Sequence, residues 1–299
     1  MFSYRHAFHA GNHADVLKHT ALIAVLQYLL QKDTPITVVD THAGAGLYRL
    51  DGDYAQASGE VQDGLARLTA FAVENVLPEP LGRYLELVQT FNRRPGSSQV
   101  YPGSPFIAQH LLRPEDRLKL FELHPTDARL LEGHVRQLDA GRQVAVLRED
   151  GFEGVRRLLP PPSRRGLLFC DPSYELKNDY ARVAALLTEA IKRFATGTAM
   201  IWYPAIPRPE SHDLPRRLKA VAAKAGRPWL HCTLTVKSAA IKTDLQRMDG
   251  SMRRPGLPGS GLFLVNPPHT LEATLREALP VMAAALGQDR HAGFTLEAA

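Results

Sequence analysis

The stretch Gly166-Leu-Leu-Phe-Cys-Asp-Pro-Ser-Tyr174 decides the reading of this chain. Gly166 to Cys170 is a short apolar run of the kind that a strand buried on both faces uses. It ends on an acid, then a proline, then an aromatic two positions later. In open α/β sheets ligands bind beyond the carboxyl ends of strands. A carboxylate at such an end is therefore a candidate for chemistry rather than for packing.

The same alternation spreads outward from this segment. Strands are predicted over Ile36–Asp40, Arg117–Glu122, Gln143–Arg148, Gly166–Asp171, Thr198–Tyr203, Trp229–Val236 and Gly261–Asn266. Helices are predicted over His13–Gln31, Pro125–Leu138, Gly151–Leu159, Asp179–Phe194, His212–Ala225 and Leu271–Leu286. Asn12 is placed to cap the first helix, with Asp15 three residues on as a box-like partner. Repeated strand–helix units predict an α/β fold whose mainly parallel, seven-stranded sheet is covered on both faces. Residues 51–100 break the pattern. Two apolar helical stripes (Leu65, Leu68, Phe71; Leu81, Tyr84, Leu85, Val88) lie there, divided by Leu77-Pro-Glu-Pro80. The expected organisation is an N-terminal arm and start of the core over 1–50, a helical insertion over 51–100 and the remaining core over 101–299.

Composition narrows the class. The chain has 299 residues, 44% hydrophobic and 22% charged, enough to bury a core without covalent staples. Two cysteines, Cys170 and Cys232, exclude a disulfide scaffold and are expected to be reduced thiols. No apolar run spans a membrane and no basic-then-apolar leader opens the chain, so a cytoplasmic protein is expected. A net charge of +5 permits a polyanionic partner without requiring one.

The other strand ends are also acidic or glycine-rich. Asp40-Thr-His-Ala-Gly-Ala-Gly46 lets backbone approach a ligand, but it is not a dinucleotide fingerprint. Glu122 can accept both hydroxyls of a ribose, or can cap the helix after it. Asp150 can accept from an adenine amino group, or can act as an N-cap. In order along the sheet, these ends suit a nucleoside ligand. His6, His9, His13 and His19 lack the spacing of a metal set, and no metal is expected. Arg5, His6 and Lys18, with Tyr4 and Phe8, form a basic and aromatic arm suited to touching RNA; a packed strap is its structural alternative.

Asp171-Pro-Ser-Tyr174 resembles the Asp/Asn/Ser-Pro-Pro-aromatic motif of S-adenosylmethionine-dependent methyltransferases acting on exocyclic amines. The resemblance extends along nearly the whole chain. Tyr4-Arg-His-Ala-Phe-His-Ala-Gly-Asn-His-Ala-Asp-Val-Leu-Lys-His19, Tyr101-Pro-Gly-Ser-Pro105, Glu122-Leu-His-Pro125, Asp150-Gly-Phe152 and Trp202-Tyr-Pro204 are similar to the bacterial RlmJ family. That resemblance implies a Rossmann-like class I methyltransferase fold and methylation of N6 of one adenine in 23S ribosomal RNA. It implies that His19, His42, Ser104, Glu122, Asp150, Gly151 and Asp171 line the S-adenosylmethionine pocket. It implies Asp171 as the catalytic acid and Tyr4 as a contact to substrate RNA.

The chemistry of the residues agrees with this. Asp171 and the carbonyl of Pro172 can accept the two hydrogens of an exocyclic amine, and Tyr174 can stack on the base. Ser173 departs from the motif, standing where a second proline is common. A DNA adenine-N6 methyltransferase and a non-catalytic RNA-binding module on the same fold remain alternatives, with a nicotinamide dehydrogenase behind them. A monomer is expected.

Overall fold

A computed structural model describes residues 6–51, 60–93, 99–239 and 256–299. Its centre is an eight-stranded sheet. The strands are β1 (Thr37–Asp40), β4 (Arg117–Phe121), β5 (Val144–Leu147), β6 (Gly166–Cys170), β7 (Thr198–Pro204), β8 (Trp229–Thr235), β9 (Gly259–Val265) and β10 (Gly293–Ala298). They lie in the order β10-β8-β9-β7-β6-β1-β4-β5. The five from β5 to β7 are mutually parallel, whereas β9 runs antiparallel to both β7 and β8. The predicted α/β class holds, with one more strand than the seven expected. The extra strand is β10, which pairs with β8 at the sheet edge and is mostly exposed. An edge strand facing solvent needs no apolar run, so Gly-Phe-Thr-Leu-Glu-Ala carries little periodic signal.

A second, two-stranded sheet joins β2 (Leu47–Arg49) to β3 (Val100–Pro102). Arg49 pairs with Val100, so the chain leaves the core and returns at one point. Between these strands lie α2 (Leu65–Glu74) and α3 (Glu79–Thr90). Both stripes read from the sequence face inward: Leu68, Leu81 and Tyr84 are fully buried.

The helices α1 (His13–Leu29), α4 (Ser104–Leu111), α5 (Pro125–Arg136), α6 (Gly151–Gly154), α7 (Lys177–Arg193), α8 (Pro209–Lys224) and α9 (Leu271–Leu286) complete the described layers. Helix α4 follows no long apolar stripe; Pro105 in its first turn starts it. Helix α1 is different in kind. Val16, Leu17, Ala21, Leu22, Val25 and Leu26 are buried around its whole circumference. A helix apolar all round must be enclosed, and α1 packs against α3, α4, α9 and β9. Asn12 caps it, its Oδ1 accepting from the N–H groups of Ala14 (3.0 Å) and Asp15 (3.1 Å). Buried polar residues Asp15, Lys18 and His19 on such a helix cannot reach bulk water, so they must find partners inside. Both cysteines are buried free thiols, one in β6 and one in β8.

Register places the site. Asp40 pairs with Leu120 on one side and Phe169 on the other. Glu122 and Asp171 therefore both fall just past the end of β1. The chain runs from β1 outward to β5, then crosses back to β6, so the sheet order reverses beside β1. Such a switch point opens a crevice.

Candidate active site

A cavity of about 430 Å³ opens at that switch point. His6, Lys18, His19, His42, Ser104, Glu122, Asp150, Gly151, Asp171 and Pro172 all line it. Of the residues singled out from the sequence, Tyr174 does not, and Tyr4 and Arg5 lie outside the described residues.

One half of the cavity is built from backbone amides and carboxylates. The N–H groups of Gly44 and His124 each donate to Glu122, at 2.7 Å to Oε2 and Oε1. Burial, which penalises the charged form, pushes the Glu122 carboxyl up to about 7. Ser104 Oγ donates to Asp40 Oδ2 at 2.6 Å, and burial raises Asp40 to about 6. Gly44 takes φ +61°, and a Cβ there would collide with the Tyr48 hydroxyl. A Cβ on Gly151 would strike the carbonyl of Thr41. Side chains larger than hydrogen are thus excluded where the first loop and α6 meet.

Asp150 is the N-cap considered for it and also stands on the cavity wall. It caps α6, accepting from Phe152 N–H at 3.0 Å. Its other oxygen accepts from Arg182 at 2.5 Å. The Arg182 guanidinium lies 4.2 Å from the Phe152 ring centroid, and His42 meets that ring edge-on at 4.7 Å. Burial holds His42 down near 3, so its imidazole is neutral.

The other half is a chain of charges. Lys18 Nζ donates to Asp171 Oδ2 at 2.5 Å and lies 2.8 Å from Asp15 Oδ1. Asp15 Oδ2 accepts from Gly11 N–H at 2.9 Å and from His6 Nε2 at 3.1 Å. Burial opposes ionisation of both Lys18 and Asp15, yet neighbouring charges outweigh it: His6 and then Lys18 act on Asp15, and Asp15 and then Asp171 act on Lys18. The ammonium is held above its ordinary range and the Asp15 carboxyl well below. The Trp202 ring centroid sits 5.4 Å from the ammonium.

Two expectations are corrected by this geometry. Lys18 is not an exposed arm residue reaching for RNA phosphate; it is 3% exposed and clamped between two carboxylates. Tyr174 does not offer its ring to a base. Its ring is 1% exposed, it takes φ +53°, and its hydroxyl donates to the Trp202 carbonyl at 2.7 Å. The backbone turn after Asp171 directs the ring inward, against Tyr180 and Trp202. His6 does line the cavity, bound to Asp15.

Sequence reasoning missed Asp15, Asp40 and Arg182. Asp40 ends a predicted strand, so the rule applied to Glu122 would have found it. Asp15 was masked by its capping role, and Arg182 carries no local signal. Among the described residues, no three His, Cys, Asp or Glu side chains are grouped as metal ligands.

A family profile described as "Ribosomal RNA large subunit methyltransferase D, RlmJ" matches residues 33–297. Two proteins named "Ribosomal RNA large subunit methyltransferase J" are similar throughout. The one from Escherichia coli is 41% identical, over 94% of this chain and 92% of its own. The one from Haemophilus influenzae is 39% identical, over 99% and 98%. A crystal structure of a Legionella pneumophila protein superposes with TM-score 0.82 at 30% identity, covering 97% of this chain and 98% of that one. The chain belongs to the RlmJ family of ribosomal RNA large subunit methyltransferases.

Proposed function

We propose that this protein transfers a methyl group from S-adenosylmethionine to N6 of one adenine in 23S ribosomal RNA, acting as a cytoplasmic monomer. The observation that carries the reading is the placement of Asp171 and Pro172 on the wall of a glycine-lined, carboxylate-rich cavity, in a chain of this family. When bound, S-adenosylmethionine supplies an electrophilic methyl group.

The cavity suits that molecule. Glu122 keeps lone pairs free for ribose hydroxyls after accepting two amides. Gly44 and Gly151 let the first loop and α6 close up at the cavity wall, where a Cβ on either would strike Tyr48 or Thr41. Asp150 lies beside Phe152, an acceptor next to an apolar ring, as an adenine amino edge and face require. His19, His42 and Ser104 complete the lining.

Asp171 is the proposed catalytic acceptor. Lys18 occupies Oδ2 and leaves Oδ1 for one hydrogen of the substrate amine. The Pro172 carbonyl takes the second hydrogen. Both interactions favour a tetrahedral nitrogen and the positive charge that grows on it. Lys18 with Asp15 and Asp171 carries one net negative charge, so the site complements a developing cation. Positioning supplies the rest of the acceleration. The base must be unpaired or flipped to enter. Tyr4, Arg5 and His6 form the proposed RNA-contacting edge, and residues 51–100 the proposed helical insertion. Tyr174 supports the turn from beneath.

The test is methyl incorporation from labelled S-adenosylmethionine into 23S rRNA, 16S rRNA and duplex plasmid DNA, with mass spectrometry of the product. One added methyl on one 23S adenine is expected. Label in DNA alone, or in no nucleic acid, overturns the reading.

A further inference from the structure

From His19 on the cavity wall a chain of buried groups runs inward, and its two tyrosines have no part in the methyl-transfer chemistry. His19 Nδ1 is 2.7 Å from the Tyr101 hydroxyl, which is 3.1 Å from the Tyr84 hydroxyl. None of the three residues is more than 1% exposed. The His19 and Tyr101 rings are stacked, with centroids 5.6 Å apart and planes at 25°. The chain crosses three elements: His19 is on α1, Tyr101 on β3 and Tyr84 on α3.

Each phenol has one proton to place. Burial raises both tyrosines above their ordinary range, so both remain protonated. Among the described residues Tyr84 has no hydrogen-bond partner but Tyr101. Suppose His19 donated from Nδ1. Tyr101 would then have to pass its proton to Tyr84, and the Tyr84 proton would find no acceptor. If Tyr84 donated to Tyr101 instead, the Tyr101 proton would be stranded. One arrangement leaves nothing unpaired: Tyr84 donates to Tyr101, and Tyr101 donates to His19 Nδ1. An orphaned buried donor is costly enough that this arrangement is preferred.

The geometry points to Tyr101, backed by Tyr84, as a positioning residue that fixes the proton of His19 on Nε2 and so turns that ring into an N–H donor toward an oxygen acceptor of the bound cofactor. The identity of the acceptor's owner rests on the S-adenosylmethionine reading above; the direction of the proton chain does not. Burial also holds His19 down near 3, so the ring is neutral and the choice of nitrogen matters. The segment bearing α3 thereby reaches into the cofactor pocket without touching the cofactor.

The first test needs no ligand. Long-range ¹H–¹⁵N correlation of the full chain should show His19 protonated at Nε2, with a hydrogen-bonded, unprotonated Nδ1. A proton on Nδ1 overturns the inference. The second test measures S-adenosylhomocysteine affinity by calorimetry and KM against kcat. Tyr101→Phe should weaken binding about tenfold, the equivalent of about 1.4 kcal/mol, and raise KM more than it lowers kcat. His19→Gln, which places an amide N–H near the Nε2 position, should lose less affinity than His19→Asn. His19→Asn places its amide near Nδ1 and should lose about tenfold or more. Equal affinity of the Asn and Gln variants, or unchanged affinity in Tyr101→Phe, also overturns it. The signals of the other histidine rings, unchanged from wild type in each variant, show that it is folded.

Discussion

At the ends of β1 and β4, Asp40 and Glu122 have no cation within hydrogen-bonding distance among the described residues; their partners are Ser104, His42, Gly44 and His124. At the end of β6, Asp171 touches Lys18, which touches Asp15. The two regions sit on neighbouring strands and burial penalises charge in both, yet the outcomes are opposite. In the first it drives carboxyls toward the neutral form, up to about 6 and about 7. In the second, ion pairing overrides burial and locks the charges in place. The first region fits neutral hydroxyl and amine groups. The second fits a reaction that creates positive charge.

The largest effect should follow Asp171→Ala. Methyl transfer should fall by roughly a hundred- to a thousand-fold or more. Thermal stability should change little, because Lys18 keeps Asp15 as partner. Substantial turnover in this variant, measured by labelled methyl transfer, would remove Asp171 from the reaction. Lys18→Met should do the reverse, harming the fold as much as the chemistry. It leaves Asp15, 1% exposed, facing only Gly11 N–H and His6. Breaking such a buried pair costs about 3–5 kcal/mol. Adding Asp15→Asn should restore part of that loss in denaturant melts. A double variant no more stable than Lys18→Met would show that the pair is not the cause.

Why did the sequence reveal so much of the first region and misread part of the second? The strand ends are local: an apolar run followed by Asp or Glu names Glu122, Asp150 and Asp171 directly. Lys18 and Tyr174 depend on distant contacts. Lys18 sits 153 residues from Asp171 in the chain, and no spacing rule joins them. Its basic neighbours made it look like surface. Tyr174 was read by its residue type, but its direction is set by a positive φ and by a carbonyl on β7. The eighth strand escaped for a related reason, since its pairing partner rather than its own pattern makes it a strand.

Glu122→Gln sharpens the contrast through pH. The folded carboxyl titrates near 7 against 4.5 for the ordinary value. Between those values the folded state holds a proton that the unfolded state has lost, so stability is fullest below about 4.5 and falls as pH rises through 7. The span is worth roughly 3 kcal/mol. Cofactor affinity should run the other way, improving as Glu122 ionises and gains acceptor strength. Wild type should therefore show opposed pH profiles for melting temperature and for S-adenosylhomocysteine binding. Glu122→Gln should flatten both. A wild-type binding profile that is flat from pH 6 to 8 would exclude Glu122 as the ionised acceptor.

The smallest effect is expected at Ser173. Its Oγ accepts from Glu175 N–H only at 3.5 Å, a contact too long to stabilise the turn much. Its own N–H donates to no backbone carbonyl among the described turns and loops. A proline there would forfeit no such bond and would restrict the unfolded chain, a gain of about 0.4–1 kcal/mol where the backbone already suits it. What holds Asp171 is not this residue but Lys18 on one side and the buried Tyr174 on the other. Ser173→Pro should thus raise the melting temperature slightly and keep or modestly increase methyl transfer. A loss of activity beyond about tenfold with an unchanged fold would mean that the Ser173 hydroxyl or N–H contacts substrate. The serine would then belong to the charged half of the cavity rather than to its frame.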